Sequence, residues 1–565
     1  MRAAPSRAPP LGGWPLTVAA GAAAGLPVVV SSVHAVQARW EPTDDKAIIA
    51  TRAFDVLTGH MPLVGQYSEA GFVIGRPMHD LGPMLYWLLA LPARLGNPVA
   101  MAVTMGIVNF AAVLAAVALA RRRGGRPLML ATAVAIPLMC MSLAAETFHD
   151  IWNPAAALFP FLLLILLCWS LACGDARLLP VTVIVASFVV QAHLGYLAPT
   201  VGMLAVALAG LALSARRRAV PWALAAVLVA LVCWWPTIVD EVTGHPGNLT
   251  LVARTATAHK PTLGLHVGAN AVMRAIGMRP WWLTVPATRW DRKYDVVAAQ
   301  SSLRVATTIA LLVGLVVIAC VGLLRRRRDI ATAALIGLVL CVALAAVAAQ
   351  TPTMPVLAAT VAYSLWWGSQ CGMWVWLIVA WSAFVLARAL VRTPAGWMAT
   401  LASIAGLAGA GAAGAVAAAA EKPDQHIALY RPIATIDADL NSATAAKLPI
   451  RFDGKLDVAT QPVKASIRYD LARNGDRVLS QGASFRNGRW YELDHRRYDA
   501  IVTLTDRPRR PNRRALLLTR VGYTERGLRS SVYVWIRRAP RHRLRRRHRR
   551  RYASSSRILV PNQPQ

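Results

Sequence analysis

Acidic residues are scarce in this 565-residue chain: 27 Asp and Glu stand against 61 Lys and Arg, a formal net charge of +34. Charged residues of both signs make up only 16% of the sequence, below the roughly 25% of soluble domains, whereas 56% is hydrophobic. This balance excludes a soluble enzyme and a disordered chain, and it disfavours nucleic acid as a partner. It is typical of a polytopic membrane protein, whose basic residues lie in loops.

The usual marks of nucleotide and metal chemistry are also missing from the sequence. It contains no Gly-rich phosphate-binding loop and no short-range metal-ligand spacing such as H-E-x-x-H. Its seven cysteines lie in or beside apolar segments, none after Cys371, and are interpreted as small buried hydrophobic residues. No cofactor is predicted with certainty, and a divalent metal is left unknown.

Apolar segments long enough to cross a membrane, roughly 20 residues each, recur throughout residues 1–420. Eleven are predicted, at about 14–36, 97–120, 128–145, 154–173, 178–196, 197–215, 219–238, 302–324, 330–349, 371–391 and 396–419. Arginine clusters between them, such as Arg121–Arg123 and Arg325–Arg328, all fall on one side of the bundle. The positive-inside rule places that side in the cytoplasm.

The predicted location is therefore a bacterial plasma membrane, crossed many times, with the N-terminus cytoplasmic and the segment after residue 420 outside. The preference for Arg over Lys and the abundant Ala indicate a high-GC bacterial genome. The two long polar loops, 37–96 and 239–301, also lie outside in this arrangement. Because long ordered loops tend to carry function, chemistry is predicted on that side.

The first external loop predicts a short interfacial helix at about 44–58, because apolar residues recur there at helical spacing. Asp44 and Asp45 lie at its start. Asp is favoured at a helix N-terminus, so the two carboxylates are interpreted either as a helix cap or as functional groups. A second apolar segment, Gly82–Arg94, is too short to span and is predicted to lie in the membrane interface.

Three motifs of this loop resemble those of the membrane-embedded C-type glycosyltransferases (GT-C), whose members include protein O-mannosyltransferases, lipid A aminoarabinose transferases and cell-wall arabinosyltransferases. The motifs are Asp45-Lys-Ala47-Ile-Ile-Ala-Thr-Arg52, Pro62-Leu63-Val-Gly65-Gln-Tyr67-Ser68 and His79-Asp-Leu-Gly82-Pro83. The third has one residue more than the superfamily's H-P-G-P pattern, which leaves the role of His79 open. In that superfamily the first external loop carries a catalytic Asp and two interfacial helices.

The resemblance continues over about residues 14–420. Further motifs at the outer ends of spans are Trp152-Asn153-Pro154, Gln191-Ala-His193-Leu-Gly195-Tyr196, His245-Pro-Gly247-Asn248-Leu249 and Tyr363-Ser-Leu-Trp366-Trp367. The resemblance implies an α-helical polytopic membrane protein, a GT-C-like bundle of about 11 transmembrane helices. It also implies a donor sugar on a polyprenyl phosphate and an envelope glycan, lipid or protein as acceptor.

For such a transfer, a carboxylate would take the proton of the acceptor hydroxyl as general base. The spacing to Ala47 and Arg52 favours Asp45, and Asp44 is the alternative because adjacent carboxylates cannot be separated by sequence. The leaving phosphate needs positive partners. The candidate substrate-binding residues are Arg52, His79, His149, Asp150, His193, His245 and Arg254, with Trp281 and Trp366 as sugar-stacking rings.

Each of these residues also has a structural interpretation. The His side chains would be hydrogen-bonding residues at the interface, and Arg254 would be an ordinary loop charge. The Trp residues near span ends would form an interfacial aromatic belt in contact with membrane lipids.

Residues 421–536 predict a small extracytoplasmic α/β domain. A helix passes through Val463, Ile467 and Leu471 and stops at Asn474-Gly475, and strands are predicted at 477–479, 498–504, 515–521 and 531–536. The domain is interpreted either as an acceptor-glycan binder or as a cap on the bundle. Residues 537–565 form a basic tail, with ten Arg between 537 and 551, predicted to be disordered by charge repulsion. It is either a solvated tail or an attachment to anionic lipid headgroups or acidic wall polymers.

The leading hypothesis is thus a polyprenyl-phosphate-dependent glycosyltransferase of the cell envelope. A lipid-linked glycan transporter or flippase is the first alternative, although such proteins tend to show internal repeats and charges near the membrane midplane. A non-catalytic envelope scaffold is the second, and the first-loop motif argues against it.

Overall fold

The computed structural model describes residues 14–539 apart from 144–145, 287, 289–290, 389–395, 421–422, 444–448, 458–459, 483, 495 and 526, and without the side chains of 216–218, 397, 455 and 484–485. Most of the basic tail, residues 540–565, lies outside the described residues, as does the segment before Trp14. The predictions made for these parts, including disorder of the tail, therefore stay predictions.

The first 420 residues form an all-α bundle, as the hydropathy pattern predicts. Within the described residues, eight helices are long and apolar enough to cross a membrane: Val99–Cys140, Asn153–Ala172, Leu194–Ala215, Ala219–Thr243, Ser302–Leu324, Arg328–Gln350, Pro355–Arg388 and Met398–Ala419. A ninth span is formed if the helices Trp14–Ala24 and Leu26–Gln37, bent by 53° at Gly25, are taken as one.

The eleven predicted spans are recovered when two further features are considered. The 42-residue helix Val99–Cys140 is broken at Gly125, whose φ of 69° and ψ of −161° are not helical, so it contains two of the predicted segments. Glycine tolerates this conformation because it has no Cβ, and Pro127 follows it. The shorter apolar helix Ala176–Ala192 supplies the remaining segment.

Several of the arginine clusters meet at one end of the bundle. Arg122 Nη2 lies 2.6 Å from Asp175 Oδ2, and Arg328 Nη1 donates to Ser214 Oγ at 2.8 Å. The indole of Trp169 donates to the carbonyl of Asp329, next to the Arg325–Arg328 cluster. Because Trp169 and Asn153 lie at opposite ends of the helix Asn153–Ala172, this basic end is the one remote from Asn153.

The two long loops fold into short elements over the other end of the bundle. The first loop contains the helices Asp45–Asp55 and Met84–Leu89, the 3-10 turns Glu69–Ile74 and Pro92–Arg94, and a two-stranded ladder of β1 (Tyr67–Ser68) and β2 (Met78–His79). The second loop contains the helices Asn248–Thr257, Gly264–Ile276 and Asp291–Val297, with a 3-10 turn at Trp281–Leu283. Both helices predicted for the first loop are therefore present.

The chain after residue 420 folds into a small sheet packed by two helices, Ile427–Ala443 and Gln461–Arg473. Its strands are β3 (Pro449–Lys455), β4 (Arg477–Leu479), β5 (Ala500–Thr505), β6 (Leu516–Glu525) and β7 (Leu528–Arg538), in the order β4-β3-β5-β7-β6. Strand β3 pairs in parallel with β4 and β5, and the β6–β7 hairpin completes the sheet in antiparallel fashion.

Val463, Ile467 and Leu471 are buried against this sheet, which explains their four-residue spacing. The helix stops where predicted, since Gly475 takes a φ of 93°. Between β4 and β5 the chain forms a helical turn, Ser484–Asn487, followed by a 3-10 turn, Arg489–Tyr491.

The C-terminal domain docks directly onto the first loop. The hydroxyl of Ser466 donates to the carbonyl of Pro42 at 2.7 Å, and the phenol of Tyr469 donates to the carbonyl of Ala93 at 3.2 Å. The backbone N–H of Asp44 donates to the carbonyl of Pro462 at 3.3 Å. The entry to the helix Asp45–Asp55 is therefore fixed by the C-terminal domain as well as by its own sequence.

Candidate active site

A cavity of about 430 Å³ lies at the end of the bundle that carries the long loops. Four of the motifs singled out above contribute to its lining, through Asp45 with Gln66–Ala70, Trp152–Pro154, His193–Gly195 and Tyr363–Ser364. Asp80, several residues between Val347 and Thr360, and Arg486 of the helical turn Ser484–Asn487 complete the lining. Motifs more than 300 residues apart in sequence thus converge on one cavity of a size typical for small-molecule sites.

The lining of this cavity combines polar and apolar side chains. The polar ones include the carboxyl groups of Asp45, Glu69 and Asp80. The apolar ones include Val347, Val356 and Leu357, which lie at the ends of helices long enough to cross a membrane. A ligand with both a polar and an apolar part would find contacts with both kinds of side chain.

Asp45 is the first residue of its helix and faces the cavity with 40% of its side chain exposed. Burial within the surrounding protein raises its pKa to about 6, and the negative charge of Asp44 adds to this rise. The positive charge of Arg486 and a hydrogen bond from the indole of Trp152 lower the pKa of Asp45 but do not cancel the rise. Asp45 is therefore a carboxylate at neutral pH and a stronger base than an ordinary Asp.

Asp44 precedes the helix in a strained backbone conformation. Its φ of 51° and ψ of −126° lie outside the regions that residues with a side chain normally occupy, a cost of about 1 to 3 kcal/mol. Its side chain makes no capping hydrogen bond, so the helix-cap interpretation is wrong for Asp44. Its carboxylate is exposed and borders a separate pocket of about 40 Å³ on the other side of Asp45.

Lys46, the second residue of the same helix, fixes the start of this helix through buried ion pairs. Its ammonium lies 3.0 Å from Glu146 and 3.3 Å from Asp150, and all three side chains are almost fully buried. Burial opposes the charge of Lys46, but Asp150 and Glu146 outweigh it and raise the pKa of the ammonium. Because a buried charge is stable only when it is paired, this cluster fixes the position of the residue next to Asp45.

His149 and Asp150 belong to this supporting cluster and do not line the cavity. The ring of His149 is buried between Ser31 Oγ at 2.7 Å and Asp424 Oδ2 at 3.2 Å. Burial opposes its protonation, but the hydrogen bond to Asp424 prevails and raises its pKa. Asp150 pairs with Lys46 and accepts the N–H of Trp152 at 2.8 Å. In the described structure these contacts are all with other groups of the protein, and the contact of His149 and Asp150 with substrate stays a prediction.

His193 lines the cavity, as expected for a substrate-binding residue. Burial lowers its pKa to about 4, so the ring is neutral at pH 7. Its Nδ1 accepts the N–H of Gly195 at 3.1 Å, which leaves the ring proton on Nε2. His193 therefore offers a hydrogen bond to a ligand, and it does not supply the positive charge predicted for it.

Asp80 is a second carboxyl group in the cavity wall and was not among the predicted residues. One oxygen accepts the N–H of Leu194 at 3.1 Å and the other accepts the amide of Asn153 at 2.8 Å. Burial raises its pKa well above the ordinary value, although both hydrogen bonds lower it. Asp80 links its own loop to the stretches that contain His193 and Trp152, and so fixes the positions of these two motifs relative to each other.

The aromatic rings at the cavity differ from those predicted. Trp152 and Tyr363 line it, with ring centroids 4.8 Å apart. Trp366 lies behind Trp152, edge to face at 5.7 Å, and is 5% exposed. Trp281 is buried against Arg292 and donates its indole N–H to Asp295 at 3.0 Å. Neither Trp281 nor Trp366 lines the cavity in the described structure, and their contact with a sugar stays a prediction.

Four further predicted residues lie away from the cavity in the described structure. Arg52 donates to the carbonyl of Asn487 at 2.8 Å and to Asp55 at 3.0 Å, and so holds the C-terminal domain. The backbone N–H of His79 donates to Asn248 at 2.9 Å, beside the β1–β2 ladder. His245 and Arg254 are exposed in the second loop. None of these four lines the cavity.

Arg486 is the cavity residue that sequence reasoning missed most completely. Its guanidinium lies over the ring of Tyr67 at 5.5 Å and 4.0 Å from Asp45 Oδ1. It comes from the C-terminal domain, and no pattern near it in the sequence indicates a site. Asp80, by contrast, lies inside the motif His79-Asp-Leu-Gly82-Pro83, so its neighbours in the sequence did indicate a site.

No group of three or more His, Cys, Asp or Glu side chains in the described part of the chain is arranged to hold a metal ion. The seven cysteines are free thiols, all buried or half-buried except Cys320.

Comparison with known proteins supports the architecture. The sequence matches no protein-family model and no curated protein sequence. Among solved structures, the chain is similar to the crystal structure of ArnT from Cupriavidus metallidurans bound to undecaprenyl phosphate. The two share 12% sequence identity, the match covers 93% of this chain and 98% of that chain, and the TM-score is 0.50.

The coverage and the TM-score of this match show a shared fold. Because the sequence identity is only 12%, the reaction has to be argued from the site. The match extends over the C-terminal sheet as well as the membrane helices, since it covers 93% of the chain. The chain therefore shares the fold of ArnT, in agreement with the polytopic helical bundle that the resemblance of its first-loop motifs implied.

Proposed function

We propose that the protein is a glycosyltransferase that moves a sugar from a polyprenyl-phosphate donor to an acceptor of the cell envelope. The bundle lies in a bacterial plasma membrane, with the N-terminus in the cytoplasm and the cavity and C-terminal domain outside. The basic end described above supports this orientation, because arginine clusters favour the cytoplasmic side. The division at about residue 420 into a membrane domain and an extracytoplasmic domain is part of the proposal.

The observation that carries the proposal is the position of Asp45. Its carboxylate faces a cavity that is lined by polar and apolar side chains and lies where membrane helices end. A lipid-linked sugar likewise combines a polar headgroup with an apolar chain. The likeness to ArnT, whose structure contains undecaprenyl phosphate, points to the same class of donor.

In the proposed step, Asp45 takes the proton of the acceptor hydroxyl while that oxygen bonds to the anomeric carbon of the donor sugar. The bond from the anomeric carbon to the phosphate oxygen breaks, and polyprenyl phosphate leaves with the electron pair. A phosphate is already a good leaving group, so no protein acid is required. Attack assisted by a single base favours inversion at the anomeric carbon.

Direct assay of the purified protein in proteoliposomes tests this proposal. The donor would be a polyprenyl-phosphate sugar with a radiolabelled sugar, and the acceptors would be the glycan and lipid fractions of the source envelope. We expect label in a new glycosidic bond and release of unlabelled polyprenyl phosphate in equal amount. Movement of intact donor across the bilayer without bond formation would indicate a flippase, and neither event would indicate a scaffold.

The raised pKa of Asp45 predicts the pH dependence of the reaction. A general base must be deprotonated, so kcat/KM is expected to be constant above neutral pH and to fall below about pH 6. The decline approaches roughly tenfold per pH unit when a single group is responsible. Initial rates between pH 4.5 and 8 measure it, with circular dichroism as the control for unfolding. A profile that stays flat down to pH 5 would argue against Asp45 as the base.

A further inference from the structure

The charges at the cavity do not match the proposed donor when only the membrane domain is considered. That domain supplies the carboxyl groups of Asp45, Glu69 and Asp80, and His193 is neutral. Among the described residues that line the cavity, Arg486 is the one Lys or Arg side chain. A phosphate entering a partly desolvated site needs a positive partner, and among the described lining residues the candidate for that partner is Arg486 of the C-terminal domain.

The turn that carries Arg486 is held firmly from both domains. Asn487 receives a hydrogen bond from Arg468 on its side-chain oxygen and one from Arg52 on its carbonyl. The phenol of Tyr491 donates to Asp55 at 2.7 Å. These contacts fix the backbone beside Arg486 against the helix that begins at Asp45.

The guanidinium of Arg486 can still donate hydrogen bonds to a ligand. The Asp45 oxygen at 4.0 Å is beyond hydrogen-bond distance, and the contact with Tyr67 is with the face of its ring, 5.5 Å from the ring centroid, and not with a hydrogen-bond acceptor. The side chain is 45% exposed and lines the cavity. A planar guanidinium with its N–H edge available is the side chain best suited to a phosphate.

We propose that Arg486 binds the phosphate of the lipid donor, so that the catalytic cavity is a composite of the membrane domain and the C-terminal domain. This inference rests on the proposed function for the identity of the donor. It assigns to the C-terminal domain a part in the active site, beyond capping the bundle or binding the acceptor. Arg486 takes the role for which Arg52 and Arg254 were candidates.

The competing interpretation is that Arg486 only neutralises Asp45 and helps the domain to dock. The two are separated by equilibrium binding of undecaprenyl phosphate and of undecaprenol, the same lipid without its phosphate, to the full-length protein in nanodiscs. We expect Arg486→Gln to weaken binding of the phosphate by about 10- to 100-fold, as for loss of a hydrogen bond to a charged group, and to leave undecaprenol binding unchanged. Arg486→Lys keeps the positive charge, so it should weaken binding of undecaprenyl phosphate less than Arg486→Gln does.

Arg489→Gln is the matched control, because Arg489 is an exposed arginine three residues further along and outside the cavity. It should bind both lipids as the unchanged protein does. Equal affinity of Arg486→Gln and the unchanged protein for the phosphate would overturn the inference, and so would an equal loss for both lipids. Neither readout requires turnover, so a protein that binds through Arg486 but forms no glycosidic bond would contradict the proposed function alone.

Discussion

Replacing Asp45 by Asn is expected to reduce kcat for sugar transfer by about 100- to 10,000-fold, the usual contribution of a general base. The amide has the shape of the carboxylate, so the cavity and the hydrogen bond from Trp152 retain their geometry. What is lost is the ability to accept the proton of the acceptor hydroxyl. The measurement is the initial rate of label transfer at saturating donor, together with the affinity for undecaprenyl phosphate, which should change little.

Asp44→Asn is the natural comparison, since it removes the neighbouring carboxylate. The Asp44 side chain is exposed and borders the small pocket, not the main cavity, so transfer should stay within about threefold of the unchanged protein, the usual size of a surface effect. Its removal also takes away a charge that raises the pKa of Asp45, so the acid limb of the pH profile should move to lower pH. Full transfer by Asp45→Asn with loss in Asp44→Asn would reverse the assignment.

Replacing Asp55 by Ala is expected to lower the free energy of unfolding by about 3 to 5 kcal/mol, the cost of leaving buried partners of a charge unpaired. The carboxylate is fully buried and accepts from Arg52 at 3.0 Å, His60 at 2.9 Å and Tyr491 at 2.7 Å. Because Tyr491 follows the turn of Arg486, the substitution should also loosen that turn and weaken donor binding. Thermal unfolding and hydrogen exchange of residues 484–491 measure the two effects.

Tyr491→Phe provides the graded control for this substitution. It removes one of the three hydrogen bonds and leaves the charge paired with Arg52 and His60, so a loss of about 1.5 to 3 kcal/mol is expected. Asp55→Ala with an unchanged thermal midpoint and unchanged exchange at 484–491 would show that docking does not depend on this carboxylate.

The membrane part of the fold was predictable because two independent patterns in the sequence agree. Each span is indicated by the length of its apolar segment. Arginine clusters such as Arg121–Arg123 indicate where one span ends and the next begins, even where the helix runs on between them. The helix Val99–Cys140 shows the value of the second pattern: its break at Gly125 lies where the arginines predicted a turn between two spans. In the C-terminal domain, β3 was missed because its alternation is short: Ile450 and Phe452 alternate with Arg451 and Asp453, and Gly454-Lys455 ends the pattern.

The site was predictable only as far as local motifs reach. The stretches containing Asp45, Trp152, His193 and Tyr363 were each found from a short pattern, and all four line the cavity. Whether a side chain faces the cavity depends on partners distant in sequence, which no local pattern records. Arg52 faces the carbonyl of Asn487, and Trp281 is covered by Arg292. The position of Arg486 depends on how a separate domain docks, so its neighbours in the sequence give no indication of it.

Because the C-terminal domain contributes to the cavity, the site is incomplete while the chain is being synthesised and inserted into the membrane. Synthesis proceeds from the N-terminus, so the membrane helices and the loop of Asp45 are complete long before Arg486 leaves the ribosome. Until the C-terminal domain folds and docks on the helix Asp45–Asp55, the nascent protein has the proposed base but lacks the proposed phosphate-binding arginine. Under the proposed function, a protein assembled in this order would be inactive towards lipid-linked sugars during its own insertion and would begin turnover only after the C-terminal domain has docked.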